Sequence, residues 1–197
     1  MNTRTAACTA LLALAALTAS CSSNSSDDKA QSKPSKTTSS TQAKPTATPT
    51  PGPLKFGTGW HWTDKDEDGK PISGTTTVLS YTQPAKDVGL TPDAADSKDP
   101  EWAVLEVKVC TDAKSSAVTV SQGPWALGFP DDTRLDAPSY SGYGVPKPEY
   151  AAHGATVNPG DCLRGKITFD VEHGTRPVSI VYGAADRDTV EWAVPKA

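Results

Sequence analysis

NPGDCLRGKITFDV, residues 158–171, is the stretch that decides the fold. It opens with an Asn-Pro-Gly turn, and after Cys162 its apolar and polar residues alternate. A period of two places neighbouring side chains on opposite faces of a β-strand. The stretch therefore predicts a strand over 163–171 with one buried and one solvated face. The inward set is Leu163, Gly165, Ile167, Phe169 and Val171, and the outward set is Lys166, Thr168 and Asp170.

Seven other short stretches have a similar strand-like pattern, and turn signals such as Pro130-Asp131 and His173-Gly174 punctuate the chain. They are 54–63, 75–83, 102–110, 117–121, 125–129, 177–182 and 189–194. None of the domain's longer stretches has a helical period. Short strands with one polar face predict an all-β domain over 54–197, an antiparallel immunoglobulin-like β-sandwich of about seven to eight strands.

The same stretch and its continuation resemble a signature of the telokin-like, immunoglobulin-like domains found on Gram-positive surface lipoproteins. The matching positions are Pro159, Gly160, Gly165, Phe169, Val171, Gly174, Pro177 and Tyr182. The resemblance covers roughly residues 54–194, and it implies a sandwich exposed at the cell surface with no assigned chemistry. Members of that family often carry Asn near the end of the middle strand, where this chain has Cys110.

The N-terminus resembles the signal peptide of a bacterial lipoprotein, which would occupy residues 1–20. Arg4 supplies a positive charge, and the apolar run Ala6–Ala19 is shorter than the roughly 20 residues that a membrane span needs. The run leads into LTASC, residues 17–21, which is similar to a lipobox, although Thr18 stands where the strongest lipoboxes have Leu. The resemblance implies cleavage before Cys21 and acylation of its thiol. The alternative is an ordinary secreted protein with a free Cys21.

Residues 21–53 are predicted to form a lipidated, disordered tether. They consist mostly of Ser, Thr, Lys, Pro, Ala and Gln, with almost no larger apolar side chain. Such a segment cannot offset its ordering entropy by burial, and its prolines favour extended stretches. Because two acyl chains hold a protein stably, we expect residues 54–197 to be displayed on the extracytoplasmic face of the cell membrane.

The charge is distributed unevenly along the chain. From Leu54 onward there are 14 Lys and Arg against 21 Asp and Glu, a net charge of −7. An acidic folded part argues against a nucleic-acid partner. The partners predicted instead are the lipid bilayer, through acylated Cys21, and a protein or cell-wall component.

Four cysteines are present, and two remain for a disulfide. Cys8 would leave with the signal peptide and Cys21 would carry lipid, so Cys110 and Cys162 are the pair left in an oxidising compartment. Each lies at one end of a predicted strand. Since no C-x-x-C spacing occurs, we predict a structural rather than a redox-active disulfide.

The acidic run DKDEDG, residues 64–69, is the candidate for metal chemistry. The alternate carboxylates of Asp64, Asp66 and Asp68, followed by Gly69, match the start of an EF-hand calcium loop. The match ends at Thr75, where a bidentate Glu is required. Two interpretations therefore stand: a Ca²⁺ site on these three residues, or a solvated hairpin tip with Asp-Gly in its turn. No other cofactor is predicted.

No local pattern indicates catalysis. His61, His153 and His173 form no metal-binding pair, and the sequence holds no G-x-S-x-G elbow, P-loop or dinucleotide fingerprint. We therefore predict a non-enzymatic binding module. The alternative is an ion- or small-solute-binding lipoprotein with Asp64, Asp66 and Asp68 as ligands. A hydrolase is the remote alternative, and it would need His153 or His173 beside a serine and a carboxylate.

The long segment 131–157 is the predicted partner-binding loop. It carries Tyr140, Tyr143 and Tyr150 among Gly, Pro and Ser residues. Tyrosine on a loop offers a large contact area with a polar tip, as recognition surfaces do. The alternative is that these rings cover the edge of the sandwich.

Overall fold

A computed structural model of the chain describes residues 52–183 and 189–196. The predicted signal peptide, Cys21 and residues 21–51 of the predicted tether lie outside this part of the chain. The described residues form ten strands and a single-turn 3-10 helix at Pro92–Ala94. The strands are β1 (Gly59–Lys65), β2 (Pro71–Thr82), β3 (Pro100–Thr111), β4 (Val118–Val120), β5 (Trp125–Gly128), β6 (Arg134–Asp136), β7 (Ala155–Val157), β8 (Cys162–Glu172), β9 (Ser179–Tyr182) and β10 (Val190–Ala193).

Two four-stranded sheets face each other. One has the strand order β1-β2-β3-β8, the other has the order β10-β9-β5-β6, and β4 and β7 form a separate two-stranded ribbon. All strand pairs within these three sheets are antiparallel. Buried residues of both large sheets belong to one apolar core. The predicted antiparallel β-sandwich is therefore confirmed.

The eight strands predicted from the sequence are all present, with ends that shift by a few residues. The clearest shifts are in β1, which begins at Gly59 instead of residue 54, and in β2, which begins at Pro71 instead of residue 75. Two further strands, β6 and β7, lie inside the segment 131–157 that was predicted as a loop. Each has three residues and lies among Gly, Pro and Ser residues, which are typical of a loop.

Aromatic rings fill the middle of the core. The ring of Trp125 on β5 lies 4.8 Å from that of Tyr182 on β9 and 6.0 Å from that of Trp192 on β10, measured between centroids. The buried indole N–H of Trp192 donates to the carbonyl of Thr58 at 2.9 Å, which satisfies its polar group. Trp62 also points inward from β1.

The predicted exposure of two β8 residues is wrong. Thr168 and Asp170 were expected to face solvent, but they are 0% and 4% exposed. The backbone N–H groups of Asp96 and Ser97 donate to Asp170 Oδ2 at 2.8 and 2.9 Å, so the chain before β3 covers this face of the sheet. Alternation assigns residues to opposite faces, but it does not say whether a distant loop covers the polar face.

The predicted disulfide between Cys110 and Cys162 is confirmed. The two cysteines are direct partners in the antiparallel register of β3 and β8. The bridge closes a loop with a sequence separation of 52 residues at one end of the longest strand pair.

The chain enters the sandwich beside its own last strand. Leu54 forms a parallel bridge with Trp192 on β10, with one hydrogen bond from Leu54 N to the carbonyl of Glu191 and one from Ala193 N to the carbonyl of Leu54, both 2.8 Å long. Five residues later the chain starts β1, which belongs to the opposite sheet. This bridge therefore holds the segment before β1 next to β10.

Candidate functional site

The segment 131–157 separates its three tyrosines into different environments. It leaves β5 through a turn, forms β6, pairs with the edge strand β8 through a parallel bridge between Glu149 and Lys166, and returns as β7 beside β4. Tyr143 is 98% exposed, Tyr140 is partly buried, and Tyr150 is 1% exposed. The three rings therefore do not form one surface.

Tyr150 is a core residue, which corrects its place in the predicted binding loop. Its backbone N–H donates to the carbonyl of Lys166 at 2.9 Å, and its own carbonyl accepts a hydrogen bond from the buried side-chain amide of Gln122 at 2.9 Å. The neighbouring β8 residue Gly165 makes this close approach of the two backbones possible, since a Cβ there would lie 2.5 Å from Tyr150 N. Burial raises the pKa of the Tyr150 hydroxyl far above its ordinary value. Tyr150 is thus inaccessible to a partner.

Tyr140 covers the outer face of the β3–β8 pair. Its ring meets Trp102 edge-on, with centroids 5.6 Å apart and an interplanar angle of 79°. Its hydroxyl is buried, and burial raises the pKa of Tyr140 to about 12, with a further contribution from the neighbouring Asp170 carboxylate. Tyr140 matches the alternative interpretation of these rings as a cover for the sandwich.

Tyr143 projects from the tip of a short loop between two glycines. Gly142 and Gly144 have φ angles of 88° and 85°, a region that favours glycine over other residues. This backbone path turns the Tyr143 ring away from the domain. Of the residues that the structure describes, Tyr143 and Val178 are the exposed large hydrophobic side chains.

Polar contacts hold the Tyr143 loop in place. Glu149 Oε2 accepts a hydrogen bond from Gly142 N at 3.1 Å and forms an ion pair with Lys147 Nζ at 2.6 Å. Lys147 Nζ also donates to the carbonyl of Gly142. Partial burial acts to raise the pKa of Glu149, but the contacts with Lys147 and Gly142 outweigh it and hold this pKa below its ordinary value. On the other side of the loop, Gly89 N donates to the carbonyl of Gly144 at 2.8 Å. The loop backbone is therefore hydrogen-bonded on both sides of Tyr143.

The acidic run 64–69 forms the tip of the β1–β2 hairpin. Asp66 Oδ1 accepts hydrogen bonds from the backbone N–H groups of Asp68 and Lys70, at 3.0 and 2.8 Å, and Asp68 pairs with Lys70 Nζ at 3.1 Å. Asp64 Oδ1 accepts from Lys65 N at 2.8 Å. In residues 52–183 and 189–196, no three His, Cys, Asp or Glu side chains converge as a metal site. These contacts are those of a hairpin turn, the second interpretation that the sequence allows.

Two of the three histidines, His61 and His173, pair with carboxylates. His173 Nδ1 lies 3.4 Å from Glu101 Oε1, and His61 Nε2 lies 2.9 Å from Asp112 Oδ2. Both histidine side chains are more than half exposed. Among the described residues, no hydrogen bond joins His61, His153 or His173 to a serine.

Asp170 is the residue of interest that sequence reasoning missed, because it was assigned to a solvated face. One signal in the sequence did point to a covered surface. Residues 102–105 read WAVL, so Trp102 and Val104 are apolar on the face opposite to the core. A strand that is apolar on both faces is buried on both faces. Since Trp102 is the register partner of Asp170, this run implies that Asp170 is covered as well.

Comparison with known proteins supports the fold alone. No protein-family model matches the chain. No curated protein matches it either. Among solved structures, the chain is similar to a secreted protein from Mycobacterium tuberculosis, MPT63, with a TM-score of 0.53 and 18% sequence identity, covering 74% of this chain and 99% of that one. Two chains of such low identity share an architecture, and this agrees with the β-sandwich described above.

Proposed function

We propose that the protein is a membrane-anchored extracytoplasmic lipoprotein that displays a non-enzymatic binding module of the telokin-like, immunoglobulin-like type. The observation that carries this proposal is Tyr143, a large aromatic side chain that is 98% exposed on a loop held by hydrogen bonds on both sides. An exposed single apolar residue is common on protein surfaces. An exposed ring whose backbone is held by Glu149, Lys147 and Gly89 is a better candidate for recognition, because its loop has already lost part of its conformational entropy.

Tyr143 has the properties of an interface anchor. Tyrosine buries a large area with only two rotatable side-chain bonds, and its hydroxyl can satisfy a polar group of the partner. Anchor residues of this kind contribute about 2 kcal/mol or more when a partner pocket encloses them. We infer a protein or cell-wall component with a concave, partly apolar pocket as the partner.

The proposed location rests on the N-terminal sequence and on the disulfide. Residues 1–21 resemble a lipoprotein signal peptide with Cys21 as the acylated residue. The disulfide between Cys110 and Cys162 suits an oxidising compartment. The likeness in fold to a secreted protein of M. tuberculosis is compatible with the same side of the membrane.

Photocrosslinking from single positions tests the binding surface. We would place a benzophenone amino acid at Tyr143 in the full chain on intact cells, with a matched control at Thr63, which is exposed on β1. A specific adduct at position 143 that is absent at position 63 is the expected result. Competition by purified mature protein should remove the adduct, and competition by the Tyr143→Ala variant should not. Equal labelling from both positions, or no adduct from position 143, would refute Tyr143 as the contact.

Substitution of Cys21 tests the anchor separately. The Cys21→Ser chain should appear in the medium, because it cannot receive two acyl chains. Its domain should unfold at the same temperature as the membrane-bound protein. Retention of the Cys21→Ser chain at the membrane would show that the anchor lies elsewhere.

A further inference from the structure

The disulfide between Cys110 and Cys162 lies on the outer face of the β1-β2-β3-β8 sheet and not in the core. Next to the cysteines, Val109 of β3 and Leu163 of β8 point to the core, so the cysteines point to the opposite face. Cys162 is exposed and Cys110 is half-buried. A thiol has access to an exposed disulfide, and exposed bonds are typical of labile and regulatory disulfides.

The position of Cys162 in the sheet leaves one side open for approach. Cys162 is the first residue of β8, which is an edge strand of its sheet. The segment that lies along the free side of β8 meets this strand at the bridge between Glu149 and Lys166, further along the strand. A small thiol therefore has an approach to Cys162 from the free edge of the sheet.

The bond can open while the two strands stay paired. Thr111 N donates to the carbonyl of Asp161 at 3.0 Å, so these two residues form a hydrogen-bonded pair just beyond the disulfide. The adjacent pair of Cys110 and Cys162 is then a non-hydrogen-bonded one, whose backbone polar groups point away from the partner strand. The register continues from this pair to the other end of β3. Breaking the S–S bond thus removes no hydrogen bond of the β3–β8 ladder.

The charged groups beside the disulfide favour a thiolate. Lys108 and Arg164 are the next register partners on the same face of β3 and β8. Arg164 is engaged by Glu106, with Nε donating to Oε1 at 2.8 Å, whereas Lys108 forms no ion pair within the described part of the chain. The carboxylate on this face, Asp112, lies 2.9 Å from His61 Nε2. Lys108 is therefore the unpaired charge next to the β3 cysteine, and a nearby cation stabilises a cysteine thiolate.

We propose that the Cys110–Cys162 bond is a site of thiol–disulfide exchange in the folded protein, opened by a small thiol that attacks Cys162. The thiolate of the reagent forms a new S–S bond with Cys162 Sγ, and the electron pair of the old bond leaves with Cys110 Sγ. Lys108 stabilises this departing thiolate, which then takes up a proton from water. A second thiol attacks the mixed disulfide. In sum, two cysteines are reduced to thiols and two reagent thiols are oxidised to one disulfide.

This role differs from that of an enzymatic redox couple, against which the missing C-x-x-C spacing argues. Here the bond is the acceptor in an exchange reaction, and Cys162 is a site of covalent modification by a thiol. The site depends neither on the proposed contact at Tyr143 nor on acylation of Cys21.

The kinetics of reduction by glutathione test the proposal on the mature full-length protein, with the same protein in concentrated urea as the reference. A disulfide that opens only after unfolding reacts more slowly than the unfolded chain by the unfolding equilibrium constant, about 10³-fold or more. Direct attack predicts a rate that is first order in glutathione and lower than the reference by no more than about tenfold, the effect of partial access. A rate that rises with urea in proportion to the unfolded fraction would overturn the proposal.

Trapping of the first intermediate identifies the sulfur that is attacked. The reaction is stopped after short times with excess N-ethylmaleimide, and the cysteine-containing peptides are analysed by mass spectrometry. We expect glutathione on Cys162 and the maleimide label on Cys110, because Cys162 is the more exposed of the two. Equal amounts of the two possible adducts, or an excess of glutathione on Cys110, would overturn the assignment of Cys162.

Lys108→Gln and Lys98→Gln are matched variants that test the cation. Lys98 is exposed and precedes β3, so it lies at the end of this strand opposite to Cys110. We expect Lys108→Gln to slow the reduction about two- to threefold, the effect of one surface charge, and Lys98→Gln to leave it unchanged. Equal rates in these two variants would overturn the role of Lys108. Tyr143→Ala should reduce at the wild-type rate, so failure here and failure of the Tyr143 contact are separable.

Discussion

Trp102 and Asp170 are direct register partners on β3 and β8, so an indole and a buried carboxylate lie side by side on the outer face of one sheet. The ring of Tyr140 covers Trp102, and the N–H groups of Asp96 and Ser97 hold Asp170. This part of the sheet therefore has a second buried layer in addition to the central core. A surface cleft lined in part by Asp96, Ser97 and Asp170 opens beside that layer.

The second layer predicts a late titration for Tyr140. Burial, and to a smaller extent Asp170, raises the pKa of Tyr140 to about 12. The neutral hydroxyl therefore stabilises the fold fully below the unfolded-state pKa of about 10, and this contribution is lost as the pH rises through about 12. Ultraviolet difference spectra during alkaline titration should lose this late step in Tyr140→Phe. Asp170→Asn should lower the pKa of Tyr140 part of the way, because burial remains. An unchanged pKa in Asp170→Asn would show that the carboxylate contributes nothing.

The long strands were predictable from the sequence, while the segments that cover their outer faces were not. The alternation in 163–171 gives β8 and its inward face because every second residue contacts the core. Asp170 is polar and alternates correctly, yet contacts made 73 and 74 residues away in sequence bury it. Tyr150 was placed on a loop for a similar reason. Its burial depends on a close approach of its backbone to Gly165 of β8, and a single sequence contains no periodicity that reveals such a contact.

Removal of the disulfide should destabilise the fold. In the chain-entropy model, a loop of this length gives about 4 kcal/mol of stabilisation, most of it by restricting the unfolded chain. We expect Cys110→Ser/Cys162→Ser to lower the free energy of unfolding by about that amount in urea denaturation. Wild-type protein kept reduced with dithiothreitol is the control and should give a similar value. A loss below about 1 kcal/mol in both samples would contradict this loop-entropy argument.

The two glycines beside Tyr143 provide a matched pair. Alanine at Gly142 should lower the free energy of unfolding by about 1–2 kcal/mol, the strain of its positive φ. No clash adds to this strain, because no atom lies within 4 Å of the new Cβ. Alanine at Gly144 adds a clash, since its Cβ would lie 2.9 Å from the carbonyl carbon of Gly89. We expect Gly144→Ala to be less stable than Gly142→Ala by a further 1–3 kcal/mol, roughly the cost of overpacking, as measured by thermal or urea unfolding. Equal losses would mean that the segment at Gly89 moves aside without cost.

Acid should loosen the Tyr143 loop before it unfolds the domain. Because the pKa of Glu149 is lowered in the folded protein, its contribution is complete above the ordinary glutamate pKa of about 4.3 and is lost as the pH falls through the lower folded value. The exchange protection of the Gly142 amide should decrease over that range. Glu149→Gln should show reduced protection at neutral pH and little further change in acid. Full protection of Gly142 in Glu149→Gln would exclude the carboxylate as the fastening group.

The bridge between Leu54 and Trp192 has a mechanical consequence. Any force transmitted along the chain from residues before Leu54 reaches the domain first at the two 2.8 Å hydrogen bonds with Glu191 and Ala193. Both hydrogen bonds join Leu54 to β10, so β10 takes up part of the force before β1 is pulled from its sheet. A domain held by its N-terminus would thus be protected against forced unfolding by the Leu54–Trp192 bridge. The rupture force of this bridge can be measured by pulling on single molecules.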